Sequence, residues 1–242
     1  LSAMDFVAVD WGTRSLRGAL IADDGVVLEE RQAPRGILSV PAGGFRALFD
    51  ECFGDWMAAP GRRRLVAGMA GSRQGWIEAP YCPCPADAAA LAAHVVAIEP
   101  GRIALVPGLS DEHDGVPDVM RGEEVQIFGA MRLTGLADGL FVLPGTHNKW
   151  VRVRGGRVLG FRTFMTGEFY ALLAQHSILS RTVDAAAPLD AEAFARGVAR
   201  SAQGGGLLHN AFGARTLGLF EQLSPAQLAS YLSGLLIGEE LR

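Results

Sequence analysis

The chain has 242 residues, 49% of them apolar and 20% charged, a balance that supports one large or two small buried cores and excludes a disordered tail protein. Asp and Glu number 26 against 22 Lys and Arg, for a net charge of −4, so no basic footprint marks nucleic acid or an anionic lipid surface as the partner. No run approaches the roughly 20 apolar residues of a bilayer span, and no basic stretch followed by an apolar one marks the N-terminus; a protein with no membrane segment, in the cytoplasm, is expected. Three cysteines, Cys52, Cys82 and Cys84, cannot frame a disulfide scaffold in so long a chain, which fits a reducing compartment. Cys82-Pro83-Cys84 has no second Cys or His pair at ligand spacing, so a metal is not expected there.

Phe6 to Val9, Leu16 to Ile21 and Val26 to Leu28, separated by Asp10-Trp11-Gly12-Thr13 and Asp23-Asp24-Gly25, predict a three-stranded antiparallel meander. Between Pro41 and Met57, Phe45, Leu48, Phe49, Phe53 and Trp56 recur at helical spacing. Leu65-Val66-Ala67 reads as a short buried strand ending in a glycine-spaced segment with Gly68, Gly71 and Gly75. A proline-rich loop, an alanine-rich helix to about Ile98 and a strand from Ile103 to Val106 follow. This alternation predicts an α/β sheet domain. Residues 107 to 121 have little periodicity and are expected to be the junction between two domains, 1–118 and 119–242.

Glu123 opens a predicted helix to about Leu133. Leu140 to Leu143, Trp150 to Val153 and Arg157 to Phe164 then repeat the opening meander, with Gly145-Thr146 aligned on Gly12-Thr13. A duplicated domain with a cleft between the halves is the simplest account. Helices are expected at Glu168–Leu179 and Asp190–Ala202, and a last one begins with Ser224 as N-cap and Pro225 as first residue. No strand returns after it, so the second sheet reads as incomplete and several tens of further residues are expected beyond Arg242.

Four segments carry candidate chemistry. In Asp10-x-Gly12-Thr13-x-Ser15-x-Arg17, a glycine turn with two hydroxyls makes an anion-binding concavity, and Asp10 stands where it could hold Mg²⁺ against the same phosphates. An ordinary capped Asp-x-Gly turn is the competing reading. Pro144-Gly145-Thr146-His147-Asn148-Lys149-Trp150 is the matching turn. Lys149 is the single lysine of the chain and could meet charge on a transferred phosphoryl group, or simply lie solvated on a hairpin. Arg121-Gly122-Glu123-Glu124 puts two acids at a helix start, where they favour the dipole in any case; in a kinase, Glu123 in preference to Glu124 would take the proton of the attacking hydroxyl. Arg73, Gln74 and Trp76 lie in the glycine-spaced loop, with Arg73 suited to a carboxylate by its planar fork.

Taken in this order, Asp10 to Arg17, Met69 to Trp76, Val119 to Glu124 and Leu143 to Trp150 give a chain that resembles the 2-dehydro-3-deoxygalactonokinase family over most of its length. The resemblance implies the sugar-kinase, hexokinase and actin-like ATPase fold: two ribonuclease-H-like domains with ATP and a sugar acid in the cleft. Carried over by motif, Asp10, Gly12 and Thr13 match the first phosphate segment and Gly145 and Thr146 the second; Ser15, Arg17 and Asn148 lie in the same turns. The glycine motif that binds adenosine in the superfamily has no counterpart here. The implied activity is ATP- and Mg²⁺-dependent phosphorylation of the 6-hydroxyl of 2-dehydro-3-deoxy-D-galactonate, with small molecules as the only partners and a homodimer left open. A kinase for another sugar or sugar acid, and a nucleotide-binding regulatory or chaperone-like ATPase, are the alternatives.

Overall fold

The computed structural model describes residues 5–58 and 61–242. Strands β1 (Phe6–Trp11), β2 (Leu16–Ile21) and β3 (Val27–Ala33) form the antiparallel meander, and α1 (Phe45–Phe53) follows. Strand β4 (Arg63–Gly68) then pairs with β1 in parallel. After β5 (Cys82–Pro83), α2 (Ala88–Ala93), β6 (Val96–Glu99) and β7 (Ile103–Leu105), the first sheet has the order β3-β2-β1-β4-β7-β6.

Alternation along β1 decides its two faces. Val7, Val9 and Trp11 are buried, and they meet Phe49, Phe53 and Trp56 in one apolar core with Leu16, Val66 and Leu105. Trp11 lies edge-on to Phe45, with ring centroids 5.2 Å apart, a favourable arrangement for aromatic quadrupoles. Phe6, Ala8 and Asp10 point to the other face.

Two expectations fail in this half. The alanine-rich helix ends at Ala93 rather than near Ile98, because Val96, Ala97 and Glu99 pair as an antiparallel edge strand with β7; β-branched residues suit that pleated surface better than a helix. The segment 107–121 is not an irregular junction. It forms β8 (Leu109–His113) and β9 (Val116–Met120), joined at Asp114-Gly115 with φ of 52° and 78°. An Asp-Gly pair with both φ positive is the preferred two-residue hairpin turn, and that signal was in the sequence.

Helix α3 (Glu123–Thr134) leads to β10 (Gly139–Leu143), β11 (Asn148–Arg154) and β12 (Arg157–Phe164), a second three-stranded sheet in the order β10-β11-β12. The chain divides into two compact units, 1–141 with 150–162, and 142–149 with 163–242. That division lies later than the expected boundary at 118/119. Local bonds explain it: Ala86 pairs with Val158, and the Asp111 carboxylate accepts from Phe161 N at 2.8 Å, so the outer part of the hairpin packs with the first unit.

The second unit is helical: α4 (Thr166–His176), α5 (Ala191–Ser201), α6 (Gly206–Leu219) and α7 (Pro225–Glu240). Asp190 caps α5 through Ala193 N. Ser224 and Gln227 form a reciprocal capping box at the start of α7 with Pro225 in the first turn, as their spacing requires. Helix α6 is not among the sequence expectations; its three leading glycines, 204 to 206, hide its start. Leu179, Ala214, Leu228, Tyr231, Leu232 and Leu236 make the core of this unit.

Candidate active site

Asp10, the penultimate residue of β1, projects from the face of the first sheet opposite its apolar core. It stands opposite Arg17 in the β1–β2 register, and both line a cavity of about 690 Å³ with Ala8, Leu65, Gly122 and Val125. Among the described residues no hydrogen bond reaches the Asp10 carboxylate. Its partly buried position pushes its pKa above the ordinary carboxylate value, and the Arg17 charge opposes that shift.

Two glycines make room beside this carboxylate. Gly68 (φ 84°) and Gly122 (φ 105°) adopt backbone conformations that side chains disfavour. A Cβ on Gly68 would lie 2.9 Å from Asp10 Oδ1, and one on Gly122 would lie 3.3 Å from the Gly68 Cα. The end of β4 and the start of α3 are thereby brought against the end of β1. An accessible carboxylate without a protein partner, walled by bare backbone, suits a Mg²⁺ ion that keeps most of its ligands as water and phosphate. No cluster of three or more His, Cys, Asp or Glu side chains that could hold a metal occurs among the described residues.

The two acids of α3 have different surroundings. Glu123 is half-buried and its Oε2 accepts from Arg121 N at 3.0 Å. Glu124 is fully buried; its Oε2 accepts from Gly122 N at 2.7 Å, while Oε1 has no partner. Burial pushes the Glu124 pKa up to about 8, the neighbouring Glu123 adds to the rise, and the backbone N–H groups and Arg121 oppose it.

The first turn, residues 12–15, is closed by Gly12 N donating to Ser15 O at 2.8 Å. Thr13 is exposed and Ser15 half-buried. The second turn has the same closure with a different acceptor: Gly145 N donates to Asn148 Oδ1 at 2.7 Å. Asn148 Nδ2 in turn donates to Glu240 Oε2 at 2.7 Å, and Thr166 donates to the same oxygen. Asn148, expected to touch substrate, therefore has both ends of its amide engaged in holding the turn. Glu168 N donates to Thr146 O at 3.0 Å, and a Cβ on Gly167 would lie 2.3 Å from Gly145 O. The turn thus rests on the N-terminus of α4, where free N–H groups favour an anion.

Lys149 departs from expectation. It is 5% exposed and its Nζ donates to Thr163 Oγ1 at 2.8 Å. Lys149 shares the buried face of β11 with Val151 and Val153, as strand alternation requires. His147 was not among the expected site residues, although it stands in the motif; its Nε2 lies 2.5 Å from Glu168 Oε2.

Arg73, Gln74 and Trp76 do line one cavity, of about 500 Å³, with Gly43 and Phe45. The Arg73 side chain is 87% exposed; its Nε donates to Glu78 Oε1 at 3.4 Å, and its two Nη groups are open to a ligand. Trp76 has a second duty: its ring packs on Trp11, Phe45 and Phe49 with centroids 5.5 to 6.3 Å apart.

The model of the 2-keto-3-deoxy-galactonokinase family matches residues 10–242. The chain belongs to that family. The 2-dehydro-3-deoxygalactonokinase of Escherichia coli K12 is 35% identical over 238 residues, covering 98% of this chain and 79% of the relative. A Rhizobium meliloti protein bearing the same enzyme name is 40% identical over 241 residues, with the same two coverages. A crystal structure of such a protein from Sinorhizobium meliloti superposes with a TM-score of 0.89 at 40% identity, over 98% of this chain and 80% of that one. As a member of the 2-keto-3-deoxy-galactonokinase family the chain is a phosphotransferase with a mixed α/β fold. No helix among its described residues is long and apolar enough to cross a membrane.

Proposed function

We propose that this protein transfers the γ-phosphoryl group of ATP to the 6-hydroxyl of 2-dehydro-3-deoxy-D-galactonate. Family membership supports the substrate pair, and the observation that carries the site is the unpartnered Asp10 carboxylate facing Gly68 and Gly122, one residue from Glu123. The strand order of the first unit, an antiparallel β3-β2-β1 meander extended in parallel by β4 and β7, supports reading it as a ribonuclease-H-like domain. The glycine turn at Gly145-Thr146, like the one at Gly12-Thr13, supports a second segment of that kind.

In this reading Asp10 holds Mg²⁺, which when bound neutralises phosphate charge. The Gly12-Thr13 turn, with Ser15 and Arg17 beside it, offers backbone N–H groups and hydroxyls to phosphate oxygens in the first unit, and the Gly145-Thr146 turn at α4 is a glycine turn of the same kind in the second. Glu123, the accessible acid of the pair, accepts the proton of the 6-hydroxyl as the new O–P bond forms and the bond to the ADP oxygen breaks. Glu124 fixes Gly122, Asn148 fixes the second turn, and Lys149 ties β11 to β12. Arg73, with Gln74 beside it, reads the sugar-acid carboxylate.

The test is a coupled ATPase assay with Mg²⁺ over a panel of 2-keto-3-deoxy acids and neutral sugars. Turnover that requires 2-dehydro-3-deoxy-D-galactonate is expected. Equal turnover with no acceptor, or a clear preference for a neutral sugar, would overturn the assignment.

A further inference from the structure

The helical unit contains a cavity of about 470 Å³ between α5, α6 and α7, to which no part of the kinase reaction has been assigned. Its polar lining is cationic or neutral: Arg196, Arg200, His209 and Tyr231 are among its lining residues, and no carboxylate lines it. Arg196 and Arg200 are four apart on α5, a spacing at which like charges repel along a helix. Neither forms an ion pair among the described residues. Each spends one N–H on a glutamine, Arg196 Nη2 on Gln222 at 3.3 Å and Arg200 Nη1 on Gln203 at 3.2 Å, which leaves most of both guanidinium forks free.

Tyr231 supplies the second observation. The residue is 2% exposed and belongs to the core of the unit, yet it lines the cavity and its hydroxyl makes no hydrogen bond among the described residues. The ring is buried, and its unpartnered hydroxyl opens on the cavity, where a ligand can accept from it. Here the facing residue is Gly213, also in the cavity wall, whose missing side chain leaves open space at the hydroxyl: a Cβ there would lie 3.5 Å from the oxygen. Phe212, 55% exposed, adds an apolar surface at the same opening.

We propose that this cavity binds the phosphate group of a small organic phosphate, with Arg196 and Arg200 pairing its oxygens, the His209 ring and the Tyr231 hydroxyl donating to them, and Phe212 covering the organic part. A phosphate fits better than a carboxylate because four separate side chains converge, and three non-bridging oxygens can accept from all of them.

The experiment is an amide-resolved NMR titration of the whole chain with inorganic phosphate at low ionic strength, repeated on Asp10→Asn, Tyr231→Phe and Arg196→Gln/Arg200→Gln proteins. Saturable shifts in residues 196–217 and 231, with an affinity of their own apart from any at the two glycine turns, are expected in wild type and in Asp10→Asn. Affinity should fall about tenfold or more in the double arginine variant, as for lost charge-assisted bonds, and by a smaller factor in Tyr231→Phe, which keeps the core ring. No saturable shift in these residues, or shifts that the double variant leaves intact, would overturn the proposal and identify the arginines as a solvated surface. The kinase assignment stands or falls separately, because it is read from turnover.

Discussion

Asp10, the penultimate residue of β1, has its side chain on the face opposite the apolar core, and Gly68 and Gly122 carry no atoms that would crowd it; in the proposed role it holds Mg²⁺. Asp10→Asn removes the charge and leaves the volume, so the turnover number should fall by at least about 10²-fold, the scale of a lost electrostatic stabiliser, with an unchanged melting temperature. Wild-type activity in that variant would remove the Mg²⁺ role. Glu123→Gln should lower kcat by roughly 10²–10⁴ with little change in sugar-acid KM, as for a lost general base. Glu124 gives a different signature. Its folded pKa of about 8 lies above the unfolded value for a glutamate, so the folded state holds the proton longer. Its contribution to stability is whole below about pH 4.5 and is lost as pH rises toward 8 and beyond. Thermal melts from pH 5 to 9 should therefore show Glu124→Gln gaining on wild type with rising pH; a constant difference would mean that Glu124 is not protonated in the fold.

The two glycine turns show how one element can be closed in two ways. In the first, backbone meets backbone, Gly12 N to Ser15 O; in the second, the Asn148 side chain substitutes for the carbonyl and ties the turn to Glu240 at the end of α7. Asn148→Ala removes both bonds at once. The turn loosens over the α4 N-terminus, and KM for ATP should rise about tenfold while KM for the sugar acid hardly moves, the scale of one hydrogen bond to a charged or buried group. Steady-state kinetics with each substrate varied in turn separates these. An equal rise for both substrates would point to a general loss of fold.

Each unit of the molecule has its own apolar core, one built on Trp11, Phe49 and Phe53 and the other on Leu228, Tyr231 and Leu232. Substrate choice is expected to lie in the first, where Arg73 and Gln74 rim a cavity backed by Phe45 and Trp76. Because the Arg73 side chain is highly exposed and its ion pair with Glu78 at 3.4 Å lies on the surface, Arg73→Ala costs little stability. It should raise KM for the acid by roughly 10- to 100-fold, the equivalent of about 1.5–3 kcal/mol for a hydrogen-bonded charge, and leave a neutral alcohol analogue nearly unaffected. Equal losses on the two substrates would make Arg73 a support of the loop. Trp76→Ala, in contrast, opens the aromatic core and should destabilise by about 3–5 kcal/mol.

Much of this protein was legible before any coordinates. The period-two runs at 6–11 and 16–21, the Gly turns at 12 and 145 and the Ser224-Pro225 helix start depend on interactions within a few residues, so local chemistry suffices to read them. The Asp114-Gly115 hairpin is equally local, but the polar residues around it mask the alternation of its strands. What the chain's long-range packing alone decided is which side chains are left open and which are enclosed. Asp10 and Lys149 each stand in a glycine-turn motif beside a strand, yet one faces an open cavity and the other a threonine within the sheet. Glu123 and Glu124 are adjacent, yet only one is sealed from water. Neighbours in sequence differ in this way because a strand or helix sends successive residues in different directions, and whether a given direction ends in solvent, in core or against a bare glycine depends on elements distant along the chain.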